Sequence, residues 1–420
     1  MNIEKFIFYA FILLIPFQTR VILRSWGIGF NEWNAAFLYS TDLLILAVLT
    51  LWFLRLIFKK GEFKFSKYDW FLIGFIIVSA ISIINASNQI LGFYQLAKLL
   101  EFSLLYFYVK SNLGVVFNLA ASFFIFLVSG FFQAVLAIIQ YVRQADLGLR
   151  FFGETVLNPN LFNVATFLVN GEKIMRPYGT TPHPNVLAFF IFIAVFIYYF
   201  FYIEKNKFPH SKLGLTIYSI LLFGLFLTFS RVIIFFWAIG VSLRWLIFNK
   251  KFGHIAENLS LKSLTIATFM ILILFLVLFW PQVLARLDIS PYEEAVSLRG
   301  FYNKVAFFEK PFWGVGIGNF VNWFKEISPG LTQNFYQPIH NIYLLIFSET
   351  GILGLMTFLL FLIFIFKEYF KKVEFNRLFH YSLIILFLLV LFLGLFDHFL
   401  WTLQQGQIIF WLTAGLLAAL

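Results

Sequence analysis

Apolar residues occupy this chain in long runs, broken at intervals by short polar clusters. A helix needs about 20 apolar residues to cross a bilayer core, or about 17 at the short end. Runs of that kind predict about twelve spans, starting near Ile3, Asp42, Trp70, Ile90, Val115, Val186, Leu213, Val232, Leu261, Ile342, Phe379 and Gln404. The first is short, and the fourth carries Gln95, Lys98 and Glu101. The expectation is an all-α polytopic membrane protein, with residues 1–420 forming a single integral membrane domain. The opening stretch "MNIEKFIFYAFILLIPF" has no small-residue cleavage site after it, and reads as a retained first span.

The polar breaks orient these spans. "RLIFKKGEFKFSK" follows span two, "EKNKFPHSK" span six, "NKKFGH" span eight and "KEYFKKVEFNR" span ten. All fall on one parity, which places them and both termini in the cytoplasm. Two long connections, about 142–184 and 282–340, then lie outside, each longer than an incidental turn. They hold Arg143, Arg150, Arg176, Arg286 and Arg299 against the orientational bias, and Arg231 stands at the same membrane edge in "TFSRVIIFF". Arg20, Arg24 and Arg143 read as cations snorkelling to headgroups. Arg231, between two apolar helices, reads as functional.

Composition agrees with the pattern. The chain is 61% hydrophobic and 12% charged, with 62 Phe, more than one soluble core could bury. The net charge of +11 is accounted for by cytoplasmic lysines, so no nucleic-acid partner is expected. With no Cys, disulfides and thiolate metal sites are excluded.

Four external segments carry candidate chemistry. In "RPYGTTPHPN" (176–185), X-Pro steps hold Thr181 and His183 out of the helical region, and Pro184 is suited to open a helix. A helix-opening role for His183 and Asn185 stands beside a binding role. "SLRGFYNKVAFFEKPFWGVGIGNF" (297–320) predicts an amphipathic helix bearing Arg299 and Lys304, then a glycine-rich turn. No strand precedes "GVGIGN", which excludes a dinucleotide fingerprint. "QPIHNIYLLIFSETGILGL" (337–355) sets His340 and Asn341 at the mouth of span ten, followed by Tyr343 and Glu349. "FDHFLWTLQQGQIIFWL" (396–412) places Asp397 and His398 before the last span. The scattered histidines make neither HExxH nor another metal pattern, and no GxSxG elbow occurs, so no metal or other cofactor is expected. Guanidiniums suit a diphosphate, and an imidazole can take a proton from a hydroxyl.

In "TFSR" (228–231), "RPYGTTPHPNVLAFF" (176–190), the Arg299 segment ending in "PFWGVGIGNF" and "HNIYLLIFSETGILGL" (340–355), the chain resembles the O-antigen ligase and polymerase family of bacterial envelope proteins. Order, spacing and the large loop before "HN" fit as well. The resemblance implies a fold related to the GT-C glycosyltransferases, a glycan donor on undecaprenyl diphosphate, and metal-independent transfer with inversion. By the same resemblance His340 would be the general base, Arg231 and Arg299 would hold the diphosphate, and Arg176 would organise the donor side. His183 and Asn185 match the family's "HPN". Asn341, Tyr343, Asp397 and His398 are secondary candidates.

The family divides by acceptor into ligases, polymerases and protein-glycosylating relatives. No appended soluble domain marks the last branch, and the expectation is a ligase of the bacterial inner membrane, its site facing the periplasm and its acceptor a lipid or glycan. A polymerase is the alternative within the family. A transporter or flippase is the alternative outside it, with Lys98 and Glu101 lining a path, but no internal repeat supports one. A scaffold whose arginines only anchor headgroups is the blandest reading.

Overall fold

The computed structural model describes residues 3–27, 30–58, 60–199, 212–251, 259–288, 294–308, 312–372 and 378–420. It is 71% helical, with little sheet. Helices α1 (Ile3–Leu14), α2 (Ser40–Ile57), α3 (Asp69–Ser82), α4 (Gln89–Asn112) and α5 (Leu119–Arg143) come first. Next are α6 (Pro184–Ile197), α7 (Lys212–Leu227), α8 (Arg231–Lys251) and α9 (Leu259–Leu287), then two connecting helices, α10 (Glu294–Phe308) and α11 (Phe320–Ile327). The chain ends with α12 (Ile342–Lys372), α13 (Leu378–Leu393), the short α14 (Phe399–Thr402) and α15 (Gln404–Ala419). Two antiparallel hairpins complete the described residues: β1 (Arg20–Ser25) with β2 (Ala35–Tyr39), and β3 (Thr166–Val169) with β4 (Glu172–Met175).

Each expected span overlaps a helix among the described residues, the fifth beginning at Leu119 and not at Val115. Among the described residues, α2, α4, α5, α9 and α12 are long and apolar enough to cross a membrane by themselves. The other apolar helices are shorter, such as α6 and α7. Of the lysine-rich connections, residues 200–211, 252–258 and 373–377 lie outside the described residues, while Lys367, Lys371 and Lys372 belong to the end of α12.

Start signals are local. Asn88 and Asn118 accept hydrogen bonds from the Leu91 and Ala121 amides, capping α4 and α5. Proline supplies one of the breaks: α9 kinks at Phe279, two residues before Pro281. Gly351, with φ 72° and ψ −174°, interrupts α12.

Helix α6 is apolar all round and buried along its whole length, as expected at the centre of a bundle. It packs against α5, α7 and α8. Small residues permit the close approach: a Cβ on Gly130 of α5 would lie 2.4 Å from Ala194 of α6. By contrast α9 leaves Met270, Ile273 and Val277 exposed, a face suited to lipid.

The polar fourth segment resolves into ion pairs. Lys98 of α4 meets Asp42 at 2.6 Å and Glu101 at 2.9 Å, and Lys110 meets Asp69 at 2.5 Å. Each charge buried in α4 therefore has a partner, the condition for placing it in a low-dielectric interior.

Candidate active site

The 176–185 segment is held by two glutamines of α5, seven residues apart on one helix face. The Gln140 side-chain oxygen accepts from the Tyr178 and Gly179 amides at 2.9 and 2.7 Å. Gln133 accepts from the Thr180 amide at 3.0 Å and donates to its hydroxyl at 2.8 Å. Gly179 adopts φ 57°, and a Cβ there would meet Gln133 Oε1 at 2.3 Å. The backbone thus leaves the hairpin, turns under α5 and enters α6 in one defined path.

His183 sits at the N-cap of α6 with extended backbone, and its Nδ1 accepts from the Asn185 amide at 3.1 Å. This is the helix-opening role. Asn185, in the first turn of α6, reaches sideways. Its Oδ1 accepts from an Arg176 Nη at 2.7 Å and from Ser230 Oγ at 3.1 Å, and its Nδ2 donates to Asp397 Oδ2 at 3.0 Å. Arg176 also donates through Nε to the Thr228 carbonyl at 2.7 Å. The "TFSR" turn presenting that carbonyl holds Phe229 at φ 48°, an uncommon conformation for a bulky residue, secured by its burial against Phe167 and Phe275.

From Asp397 the network continues. Its second carboxylate oxygen accepts from the His398 amide at 2.8 Å, and His398 Nδ1 hydrogen-bonds to the Thr402 hydroxyl at 2.6 Å. The ring of His340 meets that of His398 edge-on, with centroids 4.8 Å apart. His340 arrives there because α12 is pinned at its mouth: the Ile342 amide donates to the Gly394 carbonyl at 2.8 Å. Tyr343 donates to the Leu391 carbonyl at 2.7 Å, and Asn341 caps α12 by accepting from the Tyr343 and Leu344 amides. These contacts give Asn341 and Tyr343 structural work. The Nδ1 of His340 is buried and has no hydrogen-bond partner among the described residues.

The arginines approach from other elements. Arg231 opens α8, and its guanidinium donates to the Arg286 carbonyl at 3.3 Å. Burial lowers Arg176 to about 9, with the charges of Arg286 and Arg231 adding to the effect, so it stays protonated at neutral pH. Arg299, on α10, acts on the histidine side: its charge helps lower His183, His340 and His398 and helps lower Asp397.

Burial is the main cause that lowers His183 and His398 to about 3, and it lowers His340 as well. All three imidazoles are therefore neutral near pH 7. Burial alone would raise Asp397, but the surrounding histidines and Arg299 outweigh it and hold the carboxyl below its ordinary value. The result is a carboxylate and neutral imidazoles among fixed guanidiniums. Among the described residues, no three His, Asp or Glu side chains are grouped to hold a metal ion.

Residues 216–359 match the family model described as O-Antigen ligase, Wzy_C. That region is an O-antigen ligase domain. The match supports a likeness to the O-antigen ligase/polymerase family, whose members are glycan ligases or polymerases. No curated protein matches the chain. The O-antigen ligase domain runs from α7 into α12 and includes Arg231, Arg286, Arg299 and His340. Arg176, Asn185, Asp397 and His398 lie outside it, yet the hydrogen-bond network runs through them.

Arg286 and Ser230 were not singled out as site residues from the sequence. Arg286 did share the signal of the other external arginines, a cation against the orientational bias. Ser230 gave no signal, because its part depends on Asn185, 45 positions away.

Proposed function

We propose that this chain transfers a glycan from an undecaprenyl-diphosphate carrier to an acceptor hydroxyl, without a metal, as a ligase of the bacterial inner membrane. The observation that carries the reading is the buried imidazole of His340, whose Nδ1 has no hydrogen-bond partner among the described residues, beside an arginine-bound polar network. His340 takes the proton of the acceptor hydroxyl, and that oxygen attacks the anomeric carbon. The bond from carbon to the diphosphate oxygen breaks, and undecaprenyl diphosphate departs with the electron pair. One displacement inverts the anomeric centre.

Each residue has a task. Neutral His340 is in the form a general base requires. The Asp397 carboxylate stabilises the imidazolium as it forms. Arg231 and Arg299 bind the diphosphate and meet the charge that develops on it, while Arg176 holds Asn185 and the Thr228 turn in place. About twelve helices span the bilayer in this reading, with both termini cytoplasmic and the 142–184 and 282–340 segments on the periplasmic side.

The test is direct. Purified protein is given labelled undecaprenyl-diphosphate glycan together with a lipid anchor acceptor, and the product is identified. A glycan-bearing anchor is expected, and none with His340→Ala. Extension of the carrier-linked glycan alone would make the chain a polymerase. Flipping of the donor in vesicles without a new glycosidic bond would overturn the transferase reading.

A further inference from the structure

Next to the histidines lies a cavity of about 70 Å³, enclosed by β2, α4, the turn before α11 and the start of α15. One water needs about 10–15 Å³ on this measure, so the space suits a group of several heavy atoms and not an extended chain. Its wall is of two kinds. Trp33, Tyr94 and Trp401 supply flat aromatic surface, while Gln95, Lys98 and Glu349 supply donors and acceptors. Lys98 and Glu349 are almost entirely withdrawn from solvent.

The cavity shares a wall with the proposed base. Trp33 packs edge-on against His398 with centroids 5.0 Å apart, and Thr402, bonded to His398 Nδ1, also lines the space. Pro338, two residues before His340, lines it too. On the far side Glu349 accepts from Trp401 Nε1 at 3.2 Å, and Gly318, at φ 69°, presses so near Gln95 that a Cβ would lie 2.2 Å from its Cγ. The polar groups are held in position by the fold.

We propose that this cavity binds one sugar ring of the acceptor and so presents its hydroxyl to the imidazoles. A pyranose has an apolar C–H face and a rim of hydroxyls. It calls for aromatic faces together with a few fixed amide, carboxylate and ammonium groups. An acyl chain would face the Gln95 amide and the Glu349 carboxyl with methylenes that make no hydrogen bonds. The one cation of the lining, Lys98, is already committed to Asp42 and Glu101, which leaves none for a phosphate. The assignment to the acceptor rests on the transferase reading above; the binding of a sugar does not.

The test has two arms. Methyl glycosides of glucose, galactose, mannose and N-acetylglucosamine are titrated into the detergent-solubilised protein while tryptophan emission is followed. At least one should change the emission saturably, equally well in His340→Ala, and bind at least tenfold more weakly to Gln95→Leu. No response to any of the four, or an undiminished response in Gln95→Leu, would overturn the proposal. In the transfer assay, Gln95→Leu and the near-isosteric Glu349→Gln should each raise acceptor KM at least tenfold, with donor KM unchanged, kcat within about twofold and an unaltered melting temperature. A rise in donor KM instead would assign the ring to the donor and overturn the acceptor role. Because the emission arm needs no turnover, glycoside binding without any transfer would sink the transferase reading and leave the sugar cavity standing.

Discussion

Asn185 and Asp397, 212 positions apart in the chain, are joined by a side-chain hydrogen bond of 3.0 Å. Through it the mouth of α6 is tied to the turn before α14, and the arginine side of the site to the histidine side. Asn185 is suited to the junction because one amide both accepts, from Arg176 and Ser230, and donates, to the carboxylate.

Asn185→Leu should therefore do more than remove one contact. It leaves a buried guanidinium and a buried carboxylate each short of a partner, a loss of about 2–3 kcal/mol of stability. Thermal unfolding in detergent should show the drop, and transfer should fall with it. A variant as stable as the parent would mean that water or a rearranged neighbour replaces the amide.

His340→Ala should behave in the opposite way. The Nδ1 it deletes has no hydrogen-bond partner among the described residues, so the melting temperature should fall less than in Asn185→Leu while turnover falls roughly 10²–10⁴-fold, the usual worth of a general base. Turnover of the parent should be level near neutrality and decline as acid protonates His340, at a pH below the ordinary histidine value of 6.5 because burial lowers it. A rate that did not decline with acid at any pH where the protein stays folded would remove this residue from proton transfer.

Acid should also unfold the protein through His183 and His398. Both are lowered in the folded state, from 6.5 to about 3. Between those values the unfolded chain binds protons that the folded chain refuses, so stability is full above about pH 6.5 and declines as pH falls toward 3. Melting temperatures at pH 8, 6 and 5 would record the slope. His183→Asn, which keeps an acceptor at the helix cap, should make it shallower.

Arg231→Lys keeps the charge but loses the planar fork, and should slow transfer by roughly 10²-fold, the cost of one misplaced transition-state donor. Raising the donor concentration should not restore kcat. Full activity in Arg231→Lys would show that a point charge suffices there.

Gly351→Ala tests how the α12 break serves the site. The Gly351 φ of 72° disfavours any side chain, and a Cβ would lie 2.8 Å from the Phe312 carbonyl oxygen. A loss of about 3 kcal/mol is expected, with the 312–320 turn displaced. Limited proteolysis of that turn should quicken, and an unchanged cleavage rate would count against the coupling.

The sequence by itself determined where the helices run, because apolar runs, asparagine caps and helix-opening prolines act within a few residues of where they stand. The expected starts fall in helices except Val115, which lies in the turn four residues before α5 begins, and the "GVGIGN" glycines take the positive φ that a tight turn requires. The candidate residues were legible one segment at a time, as polar groups that an apolar chain has no other reason to keep. Only the tertiary structure decided how they share the work. It turned Asn341 and Tyr343 into fastenings of α12, moved Asp397 and His398 from the margin to the middle of the network, and brought Arg286 and Ser230 to it. It also paired Lys98 with Asp42, which from sequence alone was a stray charge in a membrane helix. The physical reason is reach: a cap or a turn is settled by its neighbours in the chain, whereas a buried polar group is settled by whichever distant partner packing delivers to it.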